Sequence, residues 1–223
     1  MSEEPKLEEI EFAENPEPRC PCVLLLDTSG SMSGSAINAL NEGLQTFKNA
    51  LTEDGLASRR VEIAIVTFDS KVNVVQDFVT ADQFEPTTLS AGGATAMGTG
   101  IVTGLDMVQN RKTQYRENGI TYYRPWIFMI TDGEPQGEAN DIIEQASQRI
   151  KTEEENKSAA FFAVGVEGAN MEKLQSIAAR APVKLNGLNF GEMFVWLSAS
   201  MQRVSHSKVD EQVDLPPLGW GTV

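Results

Sequence analysis

The sequence predicts a Rossmann-like, doubly wound α/β fold with a mostly parallel sheet, one antiparallel edge strand and helices on both faces. Two short apolar runs, residues 23–26 and 125–131, have the composition of strands buried on both sides, as in parallel sheets. Segments with helical periodicity alternate with such runs, and this alternation predicts βαβ units with right-handed crossovers. Each of the two runs ends in a polar loop, where open α/β sheets place their ligands.

The remaining elements follow from periodicity. Helices are predicted where apolar residues recur every three to four positions, at residues 35–51, 97–114, 141–155, 171–181 and 190–204. Further strands are predicted at residues 61–68, 71–79, 159–166 and 183–185. Alternation in the second of these is imperfect and a tight turn precedes it, which favours an antiparallel edge strand. Gly100 and Gly104 let the second helix pack close to the sheet.

Three segments are predicted: an acidic N-terminal arm (1–19), one globular domain (20–205) and a C-terminal tail (206–223). Alternation at residues 9–12 is typical of a short edge strand within the arm, and the alternative is a loose arm. The tail contains a proline pair, two leucines and Trp220. This composition leaves two alternatives open, a disordered tail or a segment that docks on its own domain or on a partner.

Composition narrows the function classes. A net charge of −14 disfavours nucleic acid and anionic membranes as partners, because both require clustered Lys and Arg. There is no apolar run long enough to span a membrane and no apolar core near the N-terminus, so we expect a cytoplasmic protein. Cys20 and Cys22 are expected to be buried strand residues without a disulfide.

The loop after the first apolar run is the first candidate site. In Asp-Thr-Ser-Gly-Ser, the carboxylate of Asp27 and the hydroxyls of Ser29 and Ser31 occur at positions i, i+2 and i+4. Oxygen ligands with a single negative charge suit Mg²⁺ or Mn²⁺ better than zinc or copper. The alternative is a helix N-cap, which accounts for one of these residues and not for three.

Two other strand ends offer the ligands that an octahedral shell still requires. Thr95 lies in a glycine-rich loop, in which Gly92 and Gly93 permit positive φ angles. Asp132 follows the second buried strand in the sequence Thr-Asp-Gly.

These three pieces together resemble the metal-ion-dependent adhesion site of von Willebrand factor A domains. All five positions match, namely Asp27, Ser29, Ser31, Thr95 and Asp132, and the resemblance covers roughly residues 20–205. It implies that the hydroxyls bind Mg²⁺ or Mn²⁺ directly, and that an Asp or Glu of a partner protein completes the metal's shell. Within the family, the chain is most similar to compact bacterial TerY-like proteins, which implies a role in tellurium resistance or stress response.

Enzymatic alternatives are weaker. The only histidine is His206, so a Ser-His-Asp arrangement is disfavoured, and there is no phosphate-binding Gly-x-x-x-x-Gly-Lys-Ser/Thr motif. An aspartyl phosphotransferase with Asp27 as nucleophile is the best enzymatic alternative, but Ser29 stands where such enzymes commonly have a second Asp. A scaffold with a vestigial metal site is the third interpretation.

The tail offers a further hypothesis. Asp210, Glu211, Asp214 and the terminal carboxylate of Val223 are negative groups in or near a flexible segment. We therefore expect residues 206–223 to dock on the domain or on a neighbouring copy, and to compete with the partner for the metal.

Overall fold

The fold is a seven-stranded mixed sheet with helices on both faces, in a computed structural model that describes residues 7–222. The strands are β1 (Cys20–Asp27), β2 (Val61–Phe68), β3 (Val72–Thr80), β4 (Trp126–Thr131), β5 (Ala160–Gly165), β6 (Val183–Leu185) and β7 (Gly221–Thr222). Their order in the sheet is β3-β2-β1-β4-β5-β6-β7, and all neighbours are parallel except β2–β3 and β6–β7. The predicted doubly wound fold is confirmed, and β7 adds a second antiparallel edge.

Helices cover the two faces of the sheet. They are α1 (Leu7–Glu14), α2 (Ser35–Thr52), α3 (Ala57–Arg60), α4 (Met97–Glu117), α5 (Asn140–Glu155), α6 (Met171–Ile177) and α7 (Phe190–His206). The apolar sides of α2 and α7 pack on one face, and those of α4, α5 and α6 pack on the other. The close approach predicted for α4 is present, because a Cβ added at Gly100 would lie 3.1 Å from the Cβ of Phe68.

Two sequence predictions are wrong in detail. Residues 9–12 belong to helix α1 rather than to an edge strand; the segment is rich in helix-forming Leu, Glu and Ala, and the helix buries Phe12. Helix α6 ends at Ile177 rather than at residue 181. Ala178 already has extended backbone angles, and Pro182 lies close behind, where a helix cannot continue.

The tail docks on its own domain. Trp220 is buried, and its ring packs at 5.6 Å from that of Trp196 and 6.5 Å from that of Phe128. Asp210 and Glu211, however, line a cavity at the amino end of β4, opposite the strand end that carries Asp132. This placement contradicts the hypothesis that these two carboxylates compete for the metal, while Val223 lies outside the described residues.

Both cysteines are buried free thiols, as expected. Burial raises the pKa of Cys22 to about 12, so this thiol stays protonated and unreactive. Among the helices of residues 7–222, none combines the length and the apolar character that a membrane crossing needs.

A buried ion network closes the amino end of the sheet. Glu62 is fully buried, and its two carboxylate oxygens accept bonds of 2.8 to 2.9 Å from the guanidinium groups of Arg19 and Arg111. The hydroxyl of Tyr115 donates to the same carboxylate. Arg111 also binds Glu11 of α1 at 2.6 Å, so the network joins α1 and α4 to the sheet.

The first prediction concerns this network. Glu62→Gln removes a buried charge that two arginines share, and breaking buried pairs in this way costs about 3–5 kcal/mol. We expect a loss of that size in urea unfolding. The matched control is Glu85→Gln, which removes an exposed partner of Lys48 and should change stability by roughly 0–1 kcal/mol. Equal losses in the two variants would contradict a structural role of the network.

Candidate metal centre

The loop after β1 brings three of the predicted ligands together. Asp27 and Ser29 are buried, and the backbone N–H of Ser29 donates to Asp27 Oδ1 at 2.8 Å. The hydroxyls of Ser29 and Ser31 lie 3.0 Å apart. The turn therefore folds back on the carboxylate of Asp27, and the side-chain oxygens of Asp27, Ser29 and Ser31 lie next to one another.

The end of β4 supplies a second carboxylate beside this row. Strands β1 and β4 are paired in parallel, with Leu26 opposite Ile130, so their carboxyl ends are adjacent. The hydroxyl of Ser31 donates to Asp132 Oδ1 at 2.7 Å. Four of the five predicted residues thus form one hydrogen-bonded chain.

Thr95 reaches the same place from the glycine-rich loop. A Cβ added at Gly133 would lie 3.6 Å from Thr95 Oγ1 and 3.7 Å from Asp27 Oδ2, so both oxygens face one small space beside this glycine. The backbone of Thr95 exchanges two hydrogen bonds with that of Gln136. The loop that follows Asp132 therefore holds Thr95 in position.

The glycine-rich loop is also tied to the loop after β1. Gly30 N donates to Gly93 O at 3.0 Å, and Gly92 N donates to Thr28 O at 2.8 Å. Gly93 has a φ of 82°, and a Cβ there would lie 2.5 Å from Ser70 Oγ. Both glycines permit a positive φ; in the structure Gly93 adopts one and Gly92 does not.

Two residues that the sequence prediction missed support the site. Thr131 is buried and donates to Asp27 Oδ2 at 2.5 Å. Glu138 accepts bonds from the N–H groups of Gly98 and Thr99, and so caps helix α4 directly after Thr95. Thr131 could have been found from its place beside Asp132, whereas nothing in the sequence links Glu138 to a helix start some 40 residues earlier.

The electrostatics of the cluster favour a cation. Burial raises the pKa of Asp27, and the nearby charge of Asp132 raises it further. Within residues 7–222, neither carboxylate forms an ion pair with Lys, Arg or His. The described residues contain no group of three or more His, Cys, Asp or Glu side chains that could hold a metal ion. The candidate site instead offers two carboxylates and three hydroxyls, and oxygen donors of this kind are the ligands that a hard divalent cation prefers.

The histidine is remote from this cluster. His206 lies at the end of α7 and its Nε2 is 2.8 Å from Asp54, which precedes the amino end of β2. It is therefore not placed to act as a base for Ser29 or Ser31.

The fold and this cluster define an α/β domain with a candidate cation site at the carboxyl edge of its sheet. A sequence model of the von Willebrand factor type A domain matches residues 22–191, and the chain belongs to that family. A comparison with curated proteins finds no significant match.

Solved structures show the same fold. A von Willebrand factor type A protein from Catenulispora acidiphila aligns with a TM-score of 0.66 and 19% identity, over 83% of this chain and 43% of that one. The pilus adhesin SpaC from Lactobacillus rhamnosus GG aligns with a TM-score of 0.66 and 14% identity, over 84% and 30%.

A third similar structure is proximal thread matrix protein 1 from the mussel byssus, which was solved with a zinc-occupied metal-ion-dependent adhesion site. It aligns with a TM-score of 0.55 and 16% identity, over 83% of this chain and 48% of the mussel chain. The chain thus spans less than half the length of each of these three structures. The narrower TerY-like resemblance stays a prediction.

The second prediction follows from the raised pKa of Asp27. A carboxyl whose pKa is higher in the folded state stabilises the fold below its ordinary pKa of 3.8, and this contribution is lost as pH rises through the folded pKa. In EDTA at pH 7, Asp27→Asn should therefore be more stable towards urea than the wild type. The gain should shrink as pH falls towards 3.8.

The matched control for this experiment is Asp106→Asn, which removes an exposed carboxylate paired with Arg149. It should show little change at either pH. If Asp27→Asn were less stable than the wild type at pH 7, the claim that the buried charge of Asp27 destabilises the metal-free fold would be contradicted.

Proposed function

We propose that this protein is a divalent-cation-dependent protein-binding module that captures an acidic residue of a partner. The observation that supports it most is the convergence, from three loops, of Asp27, Ser29, Ser31, Thr95 and Asp132. Within residues 7–222, no Lys, Arg or His forms an ion pair with the two carboxylates of this set. These five residues would hold the cation. Once bound, the cation would supply a Lewis-acidic position that accepts a carboxylate.

Mg²⁺ or Mn²⁺ is the proposed cation, because the cluster offers oxygen donors and no thiol or imidazole. The mussel byssus protein carries zinc in its adhesion site, so zinc belongs in the titration as a competitor. Ser31 is exposed, and it marks the side from which a partner's Asp or Glu would approach. The hydrogen bonds of Thr131 and Ser29 to Asp27 keep that carboxylate in place as the partner binds.

The proposal favours a binding module over an aspartyl phosphotransferase. A phosphotransferase requires a proton carrier near its nucleophile, whereas Ser29 is the residue two positions after Asp27 and His206 pairs with Asp54. The bacterial stress-response role, of the tellurium-resistance type, and the cytoplasmic location are the finer parts of the proposal. They rest on the resemblance of the motifs.

The third prediction is cation-dependent stability. A ligand that binds only the folded state stabilises it by about 2.7 kcal/mol at a hundredfold excess over Kd. The melting temperature should therefore rise with Mg²⁺ or Mn²⁺ in the wild type. It should stay constant in Asp27→Ala and Asp132→Ala, each of which removes one carboxylate of the site.

Asp106→Ala serves as the control for lost negative charge, and its melting temperature should rise as in the wild type. Equal shifts in all four proteins would mean that the cation merely screens the net charge of −14. Isothermal calorimetry on the same set gives the affinity and shows whether zinc displaces Mg²⁺.

A fourth prediction concerns the partner. A pull-down from source-cell extract should retain a partner in Mg²⁺ and release it in EDTA. The Asp132→Ala variant should retain nothing above background, while Asp106→Ala should retain the partner. If EDTA left the retention of the partner unchanged, partner binding would not depend on the cation, and the proposal would be wrong.

A further inference from the structure

Two exposed glutamates lie beside the candidate metal site, on the side of β5. Glu134 follows Asp132 by two residues, so the Cα atoms of the two residues are within about 8 Å of each other. Glu167 follows β5, the neighbour of β4, and a Cβ added at the adjoining Gly168 would lie 3.7 Å from the backbone O of Asp132. Both glutamate side chains are exposed. We call Glu134 and Glu167 the acidic rim of the site.

The neighbouring loop holds Glu134 in one orientation. The side-chain amide of Asn170 donates from Nδ2 to Glu134 Oε1 at 2.6 Å. Asn170 is itself fixed as the N-cap of α6, because its Oδ1 accepts a bond from the backbone N–H of Lys173. An exposed glutamate normally loses rotamer entropy when it pairs with a partner. Part of this cost is already met in the free protein, which favours binding to Glu134.

The acidic rim has no cationic partner within the domain. No Lys, Arg or His of residues 7–222 forms an ion pair with either rim glutamate. On the opposite side of the site, Lys71 is exposed in the turn between β2 and β3. This turn contacts the glycine-rich loop, since Ala94 N donates to Ser70 Oγ at 2.9 Å. Along the carboxyl edge of the sheet, the charge therefore changes from positive at Lys71 to negative at the acidic rim.

The charges of the loaded site explain why the acidic rim matters for a partner. When ionised, Asp27 and Asp132 carry two negative charges, which a divalent cation balances, and the three hydroxyls are neutral. The carboxylate of a partner then adds a negative charge next to the two negative charges of the rim. Like charges that face each other across an interface disfavour binding. A partner that also brings a positive charge to the β5 side removes this repulsion and gains an attraction.

We propose that the partner's acidic residue is flanked by a lysine or arginine, and that this cationic side chain pairs with the acidic rim. The inference rests on the proposed function, since the flanking residue is defined relative to the carboxylate that binds the cation. The five candidate ligands would bind the acidic residue, and Glu134 and Glu167 would select its neighbour. The partner segment is therefore of mixed charge, which also suits a chain with a net charge of −14.

Two double variants make a matched pair for the test. The rim variant, Glu134→Gln with Glu167→Gln, removes both charges and keeps an oxygen that can accept the bond from Asn170. The control variant is Glu117→Gln with Glu155→Gln, which removes two exposed carboxylates at the far ends of α4 and α5. These helices of 21 and 16 residues span about 30 and 24 Å. Both lengths exceed the Debye length of about 8 Å at 0.15 M salt, so the control charges are screened from the site.

The probe is a peptide library with a fixed central Asp and two random positions on each side. Each full-length protein is immobilised and loaded with Mg²⁺, and the peptides that EDTA releases are sequenced. The wild type should enrich Lys or Arg beside the Asp roughly two- to fivefold, the factor by which an exposed ion pair raises affinity. The rim variant should show no such enrichment, and the control variant should match the wild type. In 1 M NaCl the enrichment should fall, because salt screens exposed charges.

The outcomes separate this inference from the proposed function. If EDTA releases more peptide from the Asp library than from a matched Asn library, but without enrichment of Lys or Arg, the role of the rim is wrong and the proposed function stands. If the two libraries give equal release, the proposed function itself is contradicted. Equal loss of enrichment in the control variant would assign the effect to net charge. Calorimetry with Mg²⁺ provides the last check, because a rim variant that no longer binds Mg²⁺ would make a rim glutamate a metal ligand and overturn the inference.

Discussion

A buried carboxylate at the end of the central strand constrains the carboxyl edge of the sheet. Asp27 is buried, and a buried carboxylate must be hydrogen bonded or protonated. Thr131 of the neighbouring strand and the turn at Ser29 provide the bonds, and this requirement fixes both the alignment of β1 with β4 and the path of the loop. The positions of Ser31 and Asp132 follow from that alignment.

The two ends of the sheet differ in whether their buried carboxylate is paired with a cationic side chain. At the amino end, Glu62 is shared by Arg19 and Arg111, and Tyr115 completes its hydrogen bonds. At the carboxyl end, Asp27 accepts hydrogen bonds, but no Lys, Arg or His of residues 7–222 forms an ion pair with it. A matched network contributes to holding the fold together, whereas an unmatched one is poised to take up a ligand. The difference separates the structural end of this domain from the end proposed to function.

The sequence was sufficient for those parts of the molecule that depend on local patterns. Apolar strands that end in polar loops predicted which side chains would meet, because parallel strands bring their carboxyl ends to one edge. Helix α1 was missed because alternation over four residues fits a strand as well as a helix, and the contact of Glu11 with Arg111 that holds the helix spans 100 residues. Strand β7 has only two residues and depends on the burial of Trp220, and the cap provided by Glu138 is equally non-local.

The pairing of β1 with β4 joins residues about 100 positions apart, such as Cys22 and Trp126. Pairings over such separations form slowly, because the entropy cost of closing a long loop comes before the favourable free energy of the contacts. The two aspartates of the site come together only after this loop has closed. A cation can therefore bind the native state, but not the unfolded chain or a transition state in which β1 and β4 are still unpaired. A cation held at this edge would therefore leave the folding rate unchanged and slow unfolding, which lengthens the lifetime of the native molecule rather than hastening its formation.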